Sequence, residues 1–138
     1  MKHRGIRILA LGAVFLLSWT SEGRAGAFED LMEDYKQQGG GPVFSSIAGE
    51  GFWRTIRGDA KDKCETSCTA CHTTDLTRSG THCHTGKPIE PMAPSVKPDR
   101  YADAEKVEKW FRRNCREVVG RECTPQEKGD VLSFLKQQ

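Results

Sequence analysis

The stretch CTACH places two thiols and an imidazole, Cys68, Cys71 and His72, within five residues. Two residues between the thiols set the sulfurs at the separation of adjacent haem vinyl groups, so each can add across one vinyl. The next residue then brings its imidazole under the iron. The spacing predicts one covalently attached haem c, with Cys68 and Cys71 as its links and His72 as an axial ligand. Two other chemistries use the same residue types. A redox-active CxxC ordinarily opens a helix after a strand in an α/β setting, which the surrounding sequence does not offer. Zinc could draw on Cys68, Cys71, His82, Cys83 and His84, but His-x-His lacks the usual finger spacing. A second haem at Cys83-His84 would need a cysteine at position 80, which is Gly80.

What stands on the other side of the iron decides what it does. Electron-carrying cytochromes c commonly place a methionine there. Beyond residue 27 the chain has only Met32 and Met92. Met92 lies in the proline-rich stretch after the motif, where class I cytochromes usually fold beneath the proximal histidine. His82 and His84 are strong-field alternatives close in sequence to His72, although surface histidines are ordinary loop residues. Asn114 is the remaining candidate. It shares a helical face with Val107, Trp110 and Phe111, while Lys106, Lys109 and Arg113 look outward. Burying an amide without a partner costs about 1–3 kcal/mol, so Asn114 must meet something polar. By pattern alone, capping the end of its own helix is the more ordinary role for it.

The elements that must position these residues are helical. Phe28, Leu31, Met32 and Tyr35 fall at i, i+3, i+4 and i+7, which predicts a short amphipathic helix ended by the glycines before Pro42. Ser45 or Ser46 can cap a second helix to about Arg57 that buries Ala48, Phe52 and Trp53; Gly49 and Gly51 weaken it. Thr73 to Arg100 is rich in Thr, Gly and Pro, a long irregular segment that something must tie down. Helical pattern resumes at Asp103. A last helix starts with Thr124 as N-cap, Pro125 at the first position and Glu127 closing a capping box. Its stripe is Val131, Leu132 and Leu135, with Phe134 at the edge. No stretch alternates long enough to predict a sheet, so the fold class is all-α.

The N-terminus carries Lys2, Arg4 and Arg7, an apolar run from Ile8 to Trp19, and small residues at Ala25, Gly26 and Ala27. That is the layout of a cleaved signal peptide over residues 1–27, and the run is short for a membrane span. An N-terminal helix and linker over 28–43 and one domain over 44–138 would follow. Losing Lys2, Arg4, Arg7 and Arg24 against Glu22 takes the formal net charge from +2 to −1, which argues against a nucleic-acid partner. In an exported, oxidising setting the four cysteines not needed for haem suggest two disulfides. Three pairings are open; Cys115 with Cys123 is the most local, and Cys64 with Cys83 would then bracket the haem-binding segment.

The stretches PMAPSVKPDRYADAEKVEKW and RRNCREVVGRECTPQEKGDVLSFL, with CTACH upstream, resemble the sphaeroides haem protein group. These are class I cytochromes c that bind diatomic gases. The resemblance runs from about Phe44 to the C-terminus. It implies the class I fold wrapped around one haem, with His72 proximal and Asn114 as a weak sixth ligand that leaves on reduction. It also implies a Cys115–Cys123 disulfide holding the distal loop. The implied partners are a small gas such as O2 or NO, with a dihaem cytochrome c and a membrane cytochrome b as electron donors. Cys64, Cys83, His82 and His84 depart from the plainer members of the group. The two cysteines are expected to form a second disulfide.

Overall fold

The computed structural model describes residues 26–58 and 66–138. Most of the expected signal peptide, and Cys64, therefore lie outside the described residues. In chain order the described elements are α1 (Ala27–Gln37), α2 (Ser46–Arg54), α3 (Cys68–His72), β1 (Gly80–Thr81), β2 (Pro88–Ile89), α4 (Ala104–Val119) and α5 (Pro125–Leu135). The helical reading holds, with one addition. β1 and β2 pair antiparallel, Gly80 opposite Ile89 and Thr81 opposite Pro88. Strands of two residues carry too little alternation to be seen in sequence.

α5 is the organising helix. Thr124 accepts from the Glu127 backbone N–H, and the Glu127 carboxylate accepts from the Thr124 N–H, with Pro125 at the first turn. Val131, Leu132 and Leu135 are buried as expected, and so is Phe134, because α1 and α2 both pack on α5. The α2–α5 crossing is close. A Cβ on Gly49 would lie 2.0 Å from the Asp130 carbonyl oxygen, and one on Gly129 would lie 2.3 Å from the Phe44 ring.

That crossing corrects the expected face of α2. Gly49 and Trp53 are buried, Phe52 is half-buried and Ala48 is exposed, because the Gly49–Trp53 edge meets α5. The glycine that weakens the helix locally is what lets it approach. α2 also stops at Arg54, where the Thr55 hydroxyl and N–H both donate to the Gly51 carbonyl. Ser45 is the N-cap, accepting from the Ala48 N–H.

Polar side chains lock the bundle. The Asp130 carboxylate accepts from the Ser45 N–H at 2.7 Å and the Gln126 amide at 2.8 Å, joining the start of α2 to α5. The buried Tyr35 hydroxyl donates to Glu108, which also accepts from Lys128 at 2.8 Å, so α1, α4 and α5 share one ion-pair cluster. The long segment after α3 is tied down by its own backbone. The Leu76 carbonyl accepts from Met92 and Ala93, and the Tyr101 hydroxyl donates to the Met92 carbonyl at 2.7 Å.

Candidate haem site

α3, α4, α5 and the β1–β2 hairpin enclose a cavity of about 380 Å³ with a largely apolar wall. Cys68, Cys71 and His72 all line it, and neither cysteine is in a disulfide. Burial pushes the Cys68 thiol up to about 11, the opposite of the depressed value that a redox-active CxxC needs. Burial, helped by the Arg100 charge, pushes the His72 imidazole down to about 4. It is therefore neutral at physiological pH, the form that binds a metal. The Trp53 ring lies 5.3 Å from that of His72, and Trp53 Nε1 and His72 Nδ1 are buried without a partner among the described residues.

The hairpin presses on the attachment helix. A Cβ on Gly80 would come within 2.0 Å of the Cys71 carbonyl oxygen, so position 80 has no room for a cysteine side chain. The Cys83 N–H points at Cys71 Sγ at 3.4 Å, and Cys83 is itself disulfide-bonded. Its expected partner, Cys64, lies outside the described residues.

All four candidates for the far side of the iron line the same cavity, but they are differently engaged. The Met92 sulfur accepts from the Arg100 guanidinium at 3.0 Å. His82 and His84 sit in the hairpin turn with ring centroids 6.2 Å apart; His82 Nδ1 accepts from the Thr85 N–H, and His84 is exposed. Asn114 does not cap its helix, contrary to the more ordinary reading of its pattern. α4 runs on to Val119 and is closed by Gly120 in the left-handed region at φ 76°. Asn114 is half-buried on the cavity wall, and Cys115 beside it is joined to Cys123, with Cα atoms 5.6 Å apart. Trp110, expected on the buried face, lines the cavity. No three His, Cys, Asp or Glu side chains cluster as a metal site among the described residues.

A CxxC pair outside any disulfide and a neutral histidine, on a short helix in the wall of an apolar cavity between packed helices, define a c-type cytochrome. A family model described as "Domain of unknown function (DUF1924)" matches residues 40–135. Cytochrome c-type protein SHP of Cereibacter sphaeroides is 44% identical over 108 residues, 78% of this chain and 81% of that protein. Cytochrome c'' of Methylophilus methylotrophus is 38% identical over 71 residues, 51% of this chain and 49% of that protein. Among solved structures, oxidized SHP, an oxygen-binding cytochrome c, matches with a TM-score of 0.73 at 41% identity, covering 82% of this chain and 98% of that one. Oxidized cytochrome c'' matches with a TM-score of 0.68 at 30% identity, covering 81% and 94%. The chain belongs to the sphaeroides haem protein family. Its fold is the class I cytochrome c fold and its cofactor is covalently attached haem c. No helix among the described residues is long and apolar enough to cross a membrane.

Proposed function

We propose that this chain is a periplasmic mono-haem cytochrome c that accepts one electron and then binds a small diatomic gas, O2 or NO, at a position that Asn114 gives up. The observation that carries the reading is the place of Asn114. It stands within α4, on the wall of the cavity that His72 also lines, while Gly120 does the capping. Bound haem c supplies a redox-active iron, and the chain sets what the iron meets. His72 provides a neutral imidazole on one side. Asn114 offers an amide oxygen, a hard donor that suits ferric iron and suits ferrous iron poorly. On a reduced iron this amide would be the weaker ligand, so Asn114 would leave room for a gas.

The relatives support this direction. One is an oxygen-binding cytochrome c, and a solution structure of cytochrome c'' concerns haem-ligand detachment. By resemblance to the family, the electrons come from a membrane cytochrome b through a dihaem cytochrome c. The alternative is a plain electron carrier ligated by Met92, His82 or His84. The Arg100 contact on the Met92 sulfur and the exposure of His84 both weigh against it. Ferric optical and EPR spectra of wild type and Asn114→Ala test the assignment. An altered ligand-field signature in the variant supports Asn114 at the iron, and identical spectra refute it.

A further inference from the structure

Charge in this molecule is segregated by helix. α1 carries Glu29, Asp30, Glu33 and Asp34 against one lysine, Lys36. α4 carries Lys106, Lys109, Arg112, Arg113 and Arg116, all exposed, against Glu105, Glu108 and Glu117. Arg113 pairs with Glu117 and Arg116 with Glu122, whereas no ion pair holds Lys106, Lys109 or Arg112 among the described residues. At 3.6 residues per turn, Lys106, Lys109, Arg113 and Arg116 form one stripe along α4, and Lys106 and Arg113 also border the haem cavity.

Trp110 lies at the edge of that stripe. Lys106 precedes it by four residues, Arg113 follows by three, and the Arg113 guanidinium sits 5.6 Å from the indole centroid. Trp110 forms part of the wall of the cofactor cavity, one helical turn before Asn114. Tryptophan and arginine together are the composition of interface anchors, and an uncancelled cationic rim steers an anionic partner.

We infer that the edge of α4 formed by Lys106, Lys109 and Arg113, beside Trp110 in the wall of the haem cavity, is the docking surface for an acidic redox protein that donates the electron. The inference rests on the proposed redox role of the site. In the step, a one-electron carrier in the partner loses one electron and the iron passes from ferric to ferrous; no atom is exchanged.

The test uses the haem-loaded protein and flavodoxin hydroquinone, an acidic one-electron donor, in stopped flow over a range of salt concentrations. The wild-type second-order rate should fall at least about tenfold between low and high salt. Lys106→Glu/Lys109→Glu should slow reduction by about tenfold at low salt and flatten the salt dependence. Reduction by uncharged lumiflavin semiquinone should be the same for both proteins, showing that fold and haem are intact. Lys36→Glu, on α1, should behave as wild type. An unchanged rate and salt slope in the double variant would overturn the inference, as would an equal loss in Lys36→Glu. Binding of wild type to anionic phosphatidylglycerol vesicles, lost in the double variant while flavodoxin kinetics stay unchanged, would overturn it in favour of a membrane surface. CO binding to the reduced protein, recorded in parallel, separates the two readings: its absence refutes the open site and leaves the salt dependence to judge the face.

Discussion

Asn114 on α4 and His72 on α3 line one cavity, and neither side chain is needed to finish its own helix. Gly120 closes α4 and Thr73 follows α3 as its C-cap, so both polar groups are left to the cavity. A covalent cytochrome gains a fixed imidazole from the CxxCH spacing alone. Its character comes from the second residue, and the one proposed here is an amide on a long helix.

If Asn114 is the sixth ligand, the other candidates are dispensable for the ferric spectrum. Met92→Leu, His82→Ala and His84→Ala should each leave the absorption bands and EPR g-values at wild-type positions. Met92→Leu should still cost about 1 kcal/mol of stability by disturbing a half-buried contact with Arg100. Loss of a low-spin signal in any one of the three would move the ligand to that residue.

The α2–α5 crossing makes opposite predictions for two glycines of one helix. Gly49→Ala places a Cβ 2.0 Å from the Asp130 carbonyl oxygen, whereas the same change at Gly51 meets open space. Gly49→Ala should destabilise the protein by about 1–3 kcal/mol through overpacking against backbone. Gly51→Ala should stabilise it by up to about 1 kcal/mol through helix propensity. Guanidinium unfolding of the two variants checks the contrast, and equal effects would mean that the helices do not cross there.

Acid should loosen α5 through its capping box. The Arg121 guanidinium beside Glu127 holds that carboxyl below its ordinary range, against partial burial, with the Thr124 N–H adding to the effect. The folded state therefore binds this proton less readily than the unfolded chain. The stabilisation is complete above the unfolded value of 4.5 and is lost as pH falls through the lower folded value. Glu127→Gln should reduce the pH dependence of the unfolding midpoint between pH 5 and 3, in a titration at about one-unit steps. Thr124→Ala should cost about 1 kcal/mol at neutral pH. A wild-type pH profile retained in Glu127→Gln would assign the acid sensitivity elsewhere.

Sequence legibility followed the range of the interactions. The α5 start was readable because Thr124, Pro125 and Glu127 act within one turn. So were the CTACH triad and the apolar stripe of α1, whose periodicities are local. Ala48 was misplaced because the buried edge of α2 is chosen by the approach of Gly49 to Asp130, a contact between residues far apart in the chain. The role of Asn114 turned on where α4 ends. A helical pattern that stops at residue 114 makes it a cap, and one that runs to Val119 makes it a wall residue. Gly120 was the signal that could have decided it, since a glycine in the left-handed conformation is the ordinary end of a helix. Trp110 was placed on the inner face by its register with Val107 and Asn114, and all three line the cavity.

The central claim is that reduction opens the iron, and CO addition to the reduced protein tests it most directly. The ferrous protein should show a high-spin spectrum and, on adding CO, a sharpened and shifted Soret band with saturable binding. A low-spin ferrous spectrum that does not change under saturating CO would contradict the account and leave a closed electron carrier in its place.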